Sequence, residues 1–311
     1  MKSWKLLASV VAVSVALFTS ATASAATAEL FASTGNLEPG AGSLAIDSSG
    51  NLYLGVFQNT TMSIAKVTPA GVITPQWGGA LADYAGGIAV GPDGSVFAAY
   101  STNTGMVKLN SSGAAVATYT YNSPTGNVAV DTTGNAYWTG RGPNRVGKIP
   151  AGEPSGSVPS QTITPSPGAI ITDASGNVYV TTTSNTVLKF NSSLSQVATY
   201  SVGANPFALA VDSTYLYVAN KDDGTVSRIR LSDGDTTAAW ANLGLSGGVG
   251  PMSIAVDSSG NVYTANAGAS PSAPGSISKI TPTGSVSVLA TLTVNAIAIV
   301  VDSANNVYFT R

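Results

Sequence analysis

No cysteine and no histidine occur in the 311 residues, and only 9% of them carry charge. Without imidazole or thiol there is no Ser-His-Asp triad, no cysteine nucleophile, no histidine-ligated metal and no zinc finger, because each of these needs a group the chain lacks. Lys and Arg number 13 against 15 Asp and Glu, and they form no cluster. That excludes the basic surface with which proteins meet nucleic-acid phosphates. Long apolar runs are scarce too: residues 6–18 are the longest, short of the roughly 20 needed to span a bilayer.

That run sits behind Lys2 and Lys5 and ahead of Ala23-Ser24-Ala25, the order of a secretory leader with a small-residue cleavage site. Residues 1–25 are therefore expected to be removed, leaving an exported domain of residues 26–311. Loss of the two lysines leaves 11 basic against 15 acidic residues, a net charge of −4. A periplasmic, cell-surface or extracellular destination follows. The absence of cysteine means that stability there comes from packing, not disulfides.

What the chain does have is repetition. The segment Ala45-Ile46-Asp47-Ser48-Ser49-Gly50-Asn51-Leu52-Tyr53 returns around Gly91, Asp131, Asp173, Asp212, Asp257 and Asp302, at intervals of 44, 40, 42, 39, 45 and 45 residues. A period near 42 is that of a propeller blade. In each unit the β-branched run before the Asp reads as a strand. Asp-x-x-Gly-Asn reads as a tight turn, and Val-Tyr as the returning strand. Third and fourth strands follow, as in Thr186-Val-Leu-Lys-Phe190 with Gln196-Val-Ala-Thr-Tyr200. The expected fold is all-β, a single propeller of four-stranded blades. Seven blades are expected, with six as the alternative, and the strand Glu29 to Ser33 is expected to close the ring on the last hairpin. The periodic Asp residues read as turn-formers and not as calcium ligands, since each turn offers one carboxylate where an EF-type loop needs several.

The motif Ile254-Ala-Val-Asp-Ser-Ser-Gly-Asn-Val-Tyr263 resembles the NHL-repeat propellers and the related bacterial streptogramin-lyase-like propellers. Leu216-Tyr-Val-Ala-Asn220 with Gly224-Thr-Val-Ser227 is similar to the YVTN-type repeat. The likeness covers nearly all of residues 26–311 and speaks for architecture more than for activity, since such propellers host unrelated functions. Streptogramin-lyase-type catalysis implies a histidine base with a metal, and the lack of histidine disfavours it. Gluconolactonase-type propellers imply a divalent cation held by Glu, Asp and Asn, for which Glu38, Asn220 and Asn266 are the residues on offer. Apart from that cation, no cofactor is expected.

Loops from fourth to first strand (35–43, 78–87, 202–207, 243–252) and from second to third strand (57–62, 100–105, 140–145, 220–224, 266–276) are expected to share the face around the channel. They carry the candidate ligand-binding residues: Glu38, Asp83, Tyr100, Arg141 and Arg145 beside Trp138, Asn220, Lys221, Asp222, Asp223 and Asn266. Turn chemistry accounts for 220–224 by itself, and Trp138 also suits packing. The function expected is non-catalytic recognition of a protein, peptide or glycan by a monomer. A lactonase-like hydrolase is the alternative. Acidic groups around the channel would favour the enzyme, and exposed aromatics there the binder.

Overall fold

The computed structural model describes residues 12–16, 29–33, 38–58, 61–83, 85–100, 105–121, 123–245, 249–270 and 273–310. Every regular element among them is a strand, and the strands form a β-propeller. Six blades are each built from one contiguous stretch. The first holds Glu38–Ile46, Leu52–Gln58, Thr61–Val67 and Ile73–Thr74, and the second Ala85–Val90, Val96–Tyr100, Met106–Leu109 and Ala115–Thr120. The third holds Thr125–Val130, Ala136–Gly140, Arg145–Ile149 and Ser160–Thr162; the fourth, Pro167–Thr172, Val178–Thr182, Thr186–Phe190 and Gln196–Ser201. Pro206–Val211, Tyr215–Asn220, Thr225–Arg230 and Thr236–Asn242 make the fifth, and Pro251–Val256, Val262–Asn266, Ser276–Ile280 and Val286–Thr291 the sixth.

The expectation of seven blades is corrected to six. Among the described residues the seventh hairpin, Ala298–Val301 with Val307–Thr310, has no third or fourth strand from its own repeat, and two N-terminal strands join its sheet. Glu29–Ser33 reaches that hairpin through an intervening strand. Val307–Thr310 is bordered by Ala12–Ala16, within the stretch read as a leader, and Glu29–Ser33 pairs only with Ala12–Ala16. Innermost strands of successive blades lie side by side, and Ala298–Val301 lies against both Pro251–Val256 and Glu38–Ile46.

Second strands are the core of each blade. Val96–Tyr100, Ala136–Gly140, Val178–Thr182 and Val262–Asn266 are buried at every position because neighbouring blades cover both faces. That is why they read as unbroken apolar runs rather than alternating ones. Fourth strands form the outer rim, and Gln196–Ser201 is largely exposed.

The repeated turn is a hydrogen-bonded module. In the fourth blade Asp173 Oδ1 accepts from the backbone N–H of Ser175 and Asn177, both at 2.9 Å. Its Oδ2 accepts from Asn177 Nδ2 at 2.8 Å and the Tyr179 hydroxyl at 3.0 Å. Gly176 takes φ 77° to let the chain reverse, and in the last unit Asn305 does so at 65°. The same four bonds recur at Asp47, Asp131, Asp257 and Asp302. At Asp47 and Asp131 burial opposes the charged form. The Asn side chain and backbone N–H bonds outweigh it and hold both carboxyls below their ordinary range.

A third-strand lysine completes the module. Lys66 lies over Tyr53, Lys148 over Tyr137, Lys189 over Tyr179 and Lys279 over Tyr263, each 5.3 to 5.6 Å from the ring centroid. Each ring thus has its hydroxyl on a carboxylate and its face under an ammonium. The lysines of this spaced, polar third strand are accounted for by packing on their own blades.

Candidate functional site

The turns of the Asp modules lie at one end of the blades. At the other end, on the face expected to carry ligands, a cavity of about 470 Å³ opens across the second to fifth blades. Its walls are the beginnings of innermost strands (Gly126, Asn127, Gly168, Ala169, Pro206, Phe207) and the ends of second strands with the loops that follow (Thr139, Arg141, Thr181, Thr182, Thr183).

Loop geometry is fixed by a repeated staple. The backbone N–H just beyond the second strand donates to a carbonyl of the loop entering the same blade. These bonds are Arg141 to Pro124 at 3.1 Å, Thr183 to Ser166 at 3.0 Å, Lys221 to Asn205 at 3.0 Å and Ala267 to Gly250 at 3.1 Å. Four successive blades thus hold their channel-face loops in the same pose through their own backbone, and three of them line the pocket.

Arg141 is solvent-exposed, and its Nε donates to the Pro167 carbonyl of the next blade at 2.6 Å. Below it, Thr139 Oγ1 and Asn127 Nδ2 donate to the Gly168 carbonyl at 2.8 and 3.2 Å. Gly168 is needed there: a Cβ would stand 2.6 Å from Thr181 Oγ1 and 3.3 Å from Arg141 Nη2. In the fifth blade Phe207 is 41% exposed, with Lys221 Nζ 5.1 Å above its ring. Among the described residues no Asp or Glu lines the cavity.

Of the candidates read from sequence, Arg141 lines this pocket and Lys221 covers its aromatic wall. Asp222 and Asp223 brace the same loop from outside the cavity. Asp222 Oδ1 accepts from Asn205 Nδ2 at 2.9 Å, and Asp223 Oδ2 from the Ala204 backbone.

The other candidates lie elsewhere. Trp138 is a correction: it is fully buried and stacked on Tyr121 with centroids 3.8 Å apart, so it is core and not a platform. Arg145, also corrected, turns outward along its blade, with Nη1 donating to Ser160 Oγ at 3.0 Å. Tyr100 is buried with Asp83 close by, away from the pocket lining. Burial pushes its phenol up, a hydrogen bond with the Ala82 backbone opposes this, and the charge of Asp83 adds to it. The side chain of Glu38 lies outside the described residues, so its pairing with Asp83 does too; its backbone pairs with Phe57.

Asn220 and Asn266 are fully buried equivalents at the ends of adjacent second strands. Asn220 Nδ2 donates to Thr225 Oγ1 at 3.0 Å and Ser227 Oγ at 2.8 Å; Asn266 Nδ2 donates to Ser276 Oγ at 3.1 Å and Ser278 Oγ at 2.9 Å. Leu216 and Val218, four and two positions before Asn220, pack with Tyr179 of the fourth blade, whereas Val262, four before Asn266, packs with Tyr217 of the fifth. By strand alternation the two amides face different interblade seams. They do not converge as a cation site with each other, and among the described residues no group of three acidic side chains could hold a metal.

Sequence reading missed Phe207 and the threonines at 181–183. Phe207 closed a loop marked as channel-facing, but the threonines belong to a buried apolar strand and its turn, and only the blade arrangement brings them to Arg141.

No protein-family model and no curated protein matches the sequence. Solved structures match the fold. A streptogramin B lyase is 13% identical over 88% of this chain and 93% of that chain, with a TM-score of 0.69. Virginiamycin B lyase from Staphylococcus aureus is 13% identical over 88% and 94%, with a TM-score of 0.71. The WD40 repeats of RRP9 are equally similar, 13% over 88% and 94% with a TM-score of 0.68. These likenesses show the β-propeller fold, which streptogramin B lyases and WD40 proteins share.

Proposed function

We propose that the protein is an exported, non-catalytic propeller that binds a protein, peptide or glycan through its channel-face pocket. One observation carries this reading: the pocket joins an exposed aromatic, Phe207, to hydroxyl and amide groups and a guanidinium, with no carboxylate among the described residues of its lining. The chain has no histidine, and this described lining supplies no Asp or Glu to move a proton near neutral pH. Residues suited to orienting a ligand are present in preorganised form.

Export rests on the leader pattern of residues 1–25. Processing after Ala25 would take Ala12–Ala16 from the closing sheet, leaving Glu29–Ser33 as the N-terminal strand at hand. In the exported form we read that strand as bordering the last hairpin, so that a monomeric ring has no open edge.

The test is a pair of arrays, peptide and glycan, probed with residues 26–311 and with the Phe207→Ser variant. Ligands retained by the former and lost by the latter are expected on one of the two arrays. An identical profile for both proteins, or turnover of a lactone that depends on added divalent cation, would refute the binding reading.

A further inference from the structure

Arg141 is anchored through one of its five N–H donors. Its Nε is committed to the Pro167 carbonyl, while neither Nη group has an acceptor among the described residues. The three ion pairs formed among those residues use Lys108 and Arg230, not Arg141. An arginine fixed through Nε presents its two Nη groups end-on as a planar fork, the shape that matches two oxygens of one carboxylate.

The surroundings of the fork narrow the ligand. Gly168 leaves the space beside Nη2 open, and the carbonyls of Pro167 and Gly168 are already occupied by Arg141, Thr139 and Asn127. The negative ends of those dipoles are therefore partly satisfied by donors. The lining also holds Pro206 and the exposed ring of Phe207, an apolar stretch contributed by the fifth blade. Lys221 above Phe207 brings a positive charge to that side, with Asp222 and Asp223 of the same loop outside the lining and tied to Asn205 and the Ala204 backbone.

Building on the binding function proposed above, we infer that the pocket takes the C-terminal carboxylate of a peptide whose last side chain is apolar. The carboxylate docks on the Nη groups of Arg141, and the side chain lies against Phe207 and Pro206. Thr183, exposed at the rim, faces the preceding peptide unit. An apolar wall of proline and phenylalanine suits an aliphatic side chain better than a hydroxyl-covered sugar ring, which favours a peptide over an acidic glycan.

The probe is acetyl-Ala-Ala-Leu as its free acid and as its C-terminal amide, titrated up to about 10 mM into residues 26–311. The observables are the affinity and the NMR signal of the Arg141 Nε–H, assigned by its loss in Arg141→Gln. The free acid is expected to shift that signal and to bind about tenfold or more tightly than the amide. Arg141→Gln should bring the acid down to the level of the amide. Comparing acid with amide on the unmutated protein keeps the test valid should the variant fold poorly.

Equal affinity for acid and amide, both weakened by Phe207→Ser, would overturn the carboxylate assignment and leave the binding function standing. No binding of either form would overturn the assignment, and the function proposed for the pocket would fall with it if the arrays were blank as well. Tri-galacturonate binding at Arg141 where the peptide does not would replace the peptide with an acidic glycan.

Discussion

The hydroxyl of Tyr179 donates to Oδ2 of Asp173 at 3.0 Å, tying the second strand of the fourth blade to the turn that precedes it. Both residues are buried, Asp173 at 6% exposure and Tyr179 at 1%. The carboxylate gathers four donors that water cannot reach freely, so removing it leaves several of them unmet. Asp173→Ala is expected to cost about 3 kcal/mol and Tyr179→Phe about 1 kcal/mol, read from urea unfolding. A loss below about 0.5 kcal/mol for Asp173→Ala would mean that water replaces the carboxylate at little cost.

The module sets a pH window. Asp47 and Asp131 have carboxyls lowered in the folded state, so their stabilisation is complete above the unfolded value of about 3.9 and is lost as pH falls through the folded values. Burial, joined by the neighbouring Asp, raises the phenols of Tyr53, Tyr137, Tyr179, Tyr217 and Tyr263, and that of Tyr308 to about 12. Their contribution is present below the unfolded value of about 10 and is lost as pH rises above it. Urea midpoints should fall on both sides of a broad plateau. Tyrosinate absorbance should show these phenols ionising only with alkaline unfolding; titration near pH 10 in the folded protein would contradict this.

Gly147 faces the indole of Trp138, and a Cβ there would collide with the ring. Gly147→Ala should therefore disturb the Trp138–Tyr121 stack and destabilise the fold by about 1 to 3 kcal/mol. Thermal unfolding and tryptophan fluorescence check it. An unchanged melting temperature with unchanged emission would place Trp138 in looser surroundings than its complete burial indicates.

For closure of the ring, the comparison is between chains beginning at residue 26 and at residue 34. If Glu29–Ser33 borders the last hairpin after processing, the shorter chain should melt several degrees lower. Equal melting temperatures would show that the strand contributes nothing to the closed ring.

The fold was legible in the sequence because its determinants are local and repeated. Asp-x-x-Gly-Asn-x-Tyr specifies a turn, a register and a buried hydroxyl within seven residues, and the structure uses every one of those side chains. The site was legible only in part. Arg141 stood out as a charged residue in a channel loop, yet its partners come from segments near residues 126, 168, 182 and 206, each contributed by a different strand or blade. Trp138, Asn220 and Asn266 sit where a strand meets its loop. Whether such a residue faces ligand or neighbour depends on which side of the strand meets the adjoining blade, and sequence spacing does not record that. The lysine over each tyrosine ring was not legible, since the ring beneath it belongs to another strand.

Ala298–Val301 is wedged between the inner strands of the first and sixth blades. Each of those six blades folds from one stretch of chain, whereas this strand touches two blades that lie far apart along the sequence. It acts as a clasp on an arc of blades. Substitutions that unseat it should harm folding out of proportion to the few contacts they delete, because they loosen the clasp and not merely one link.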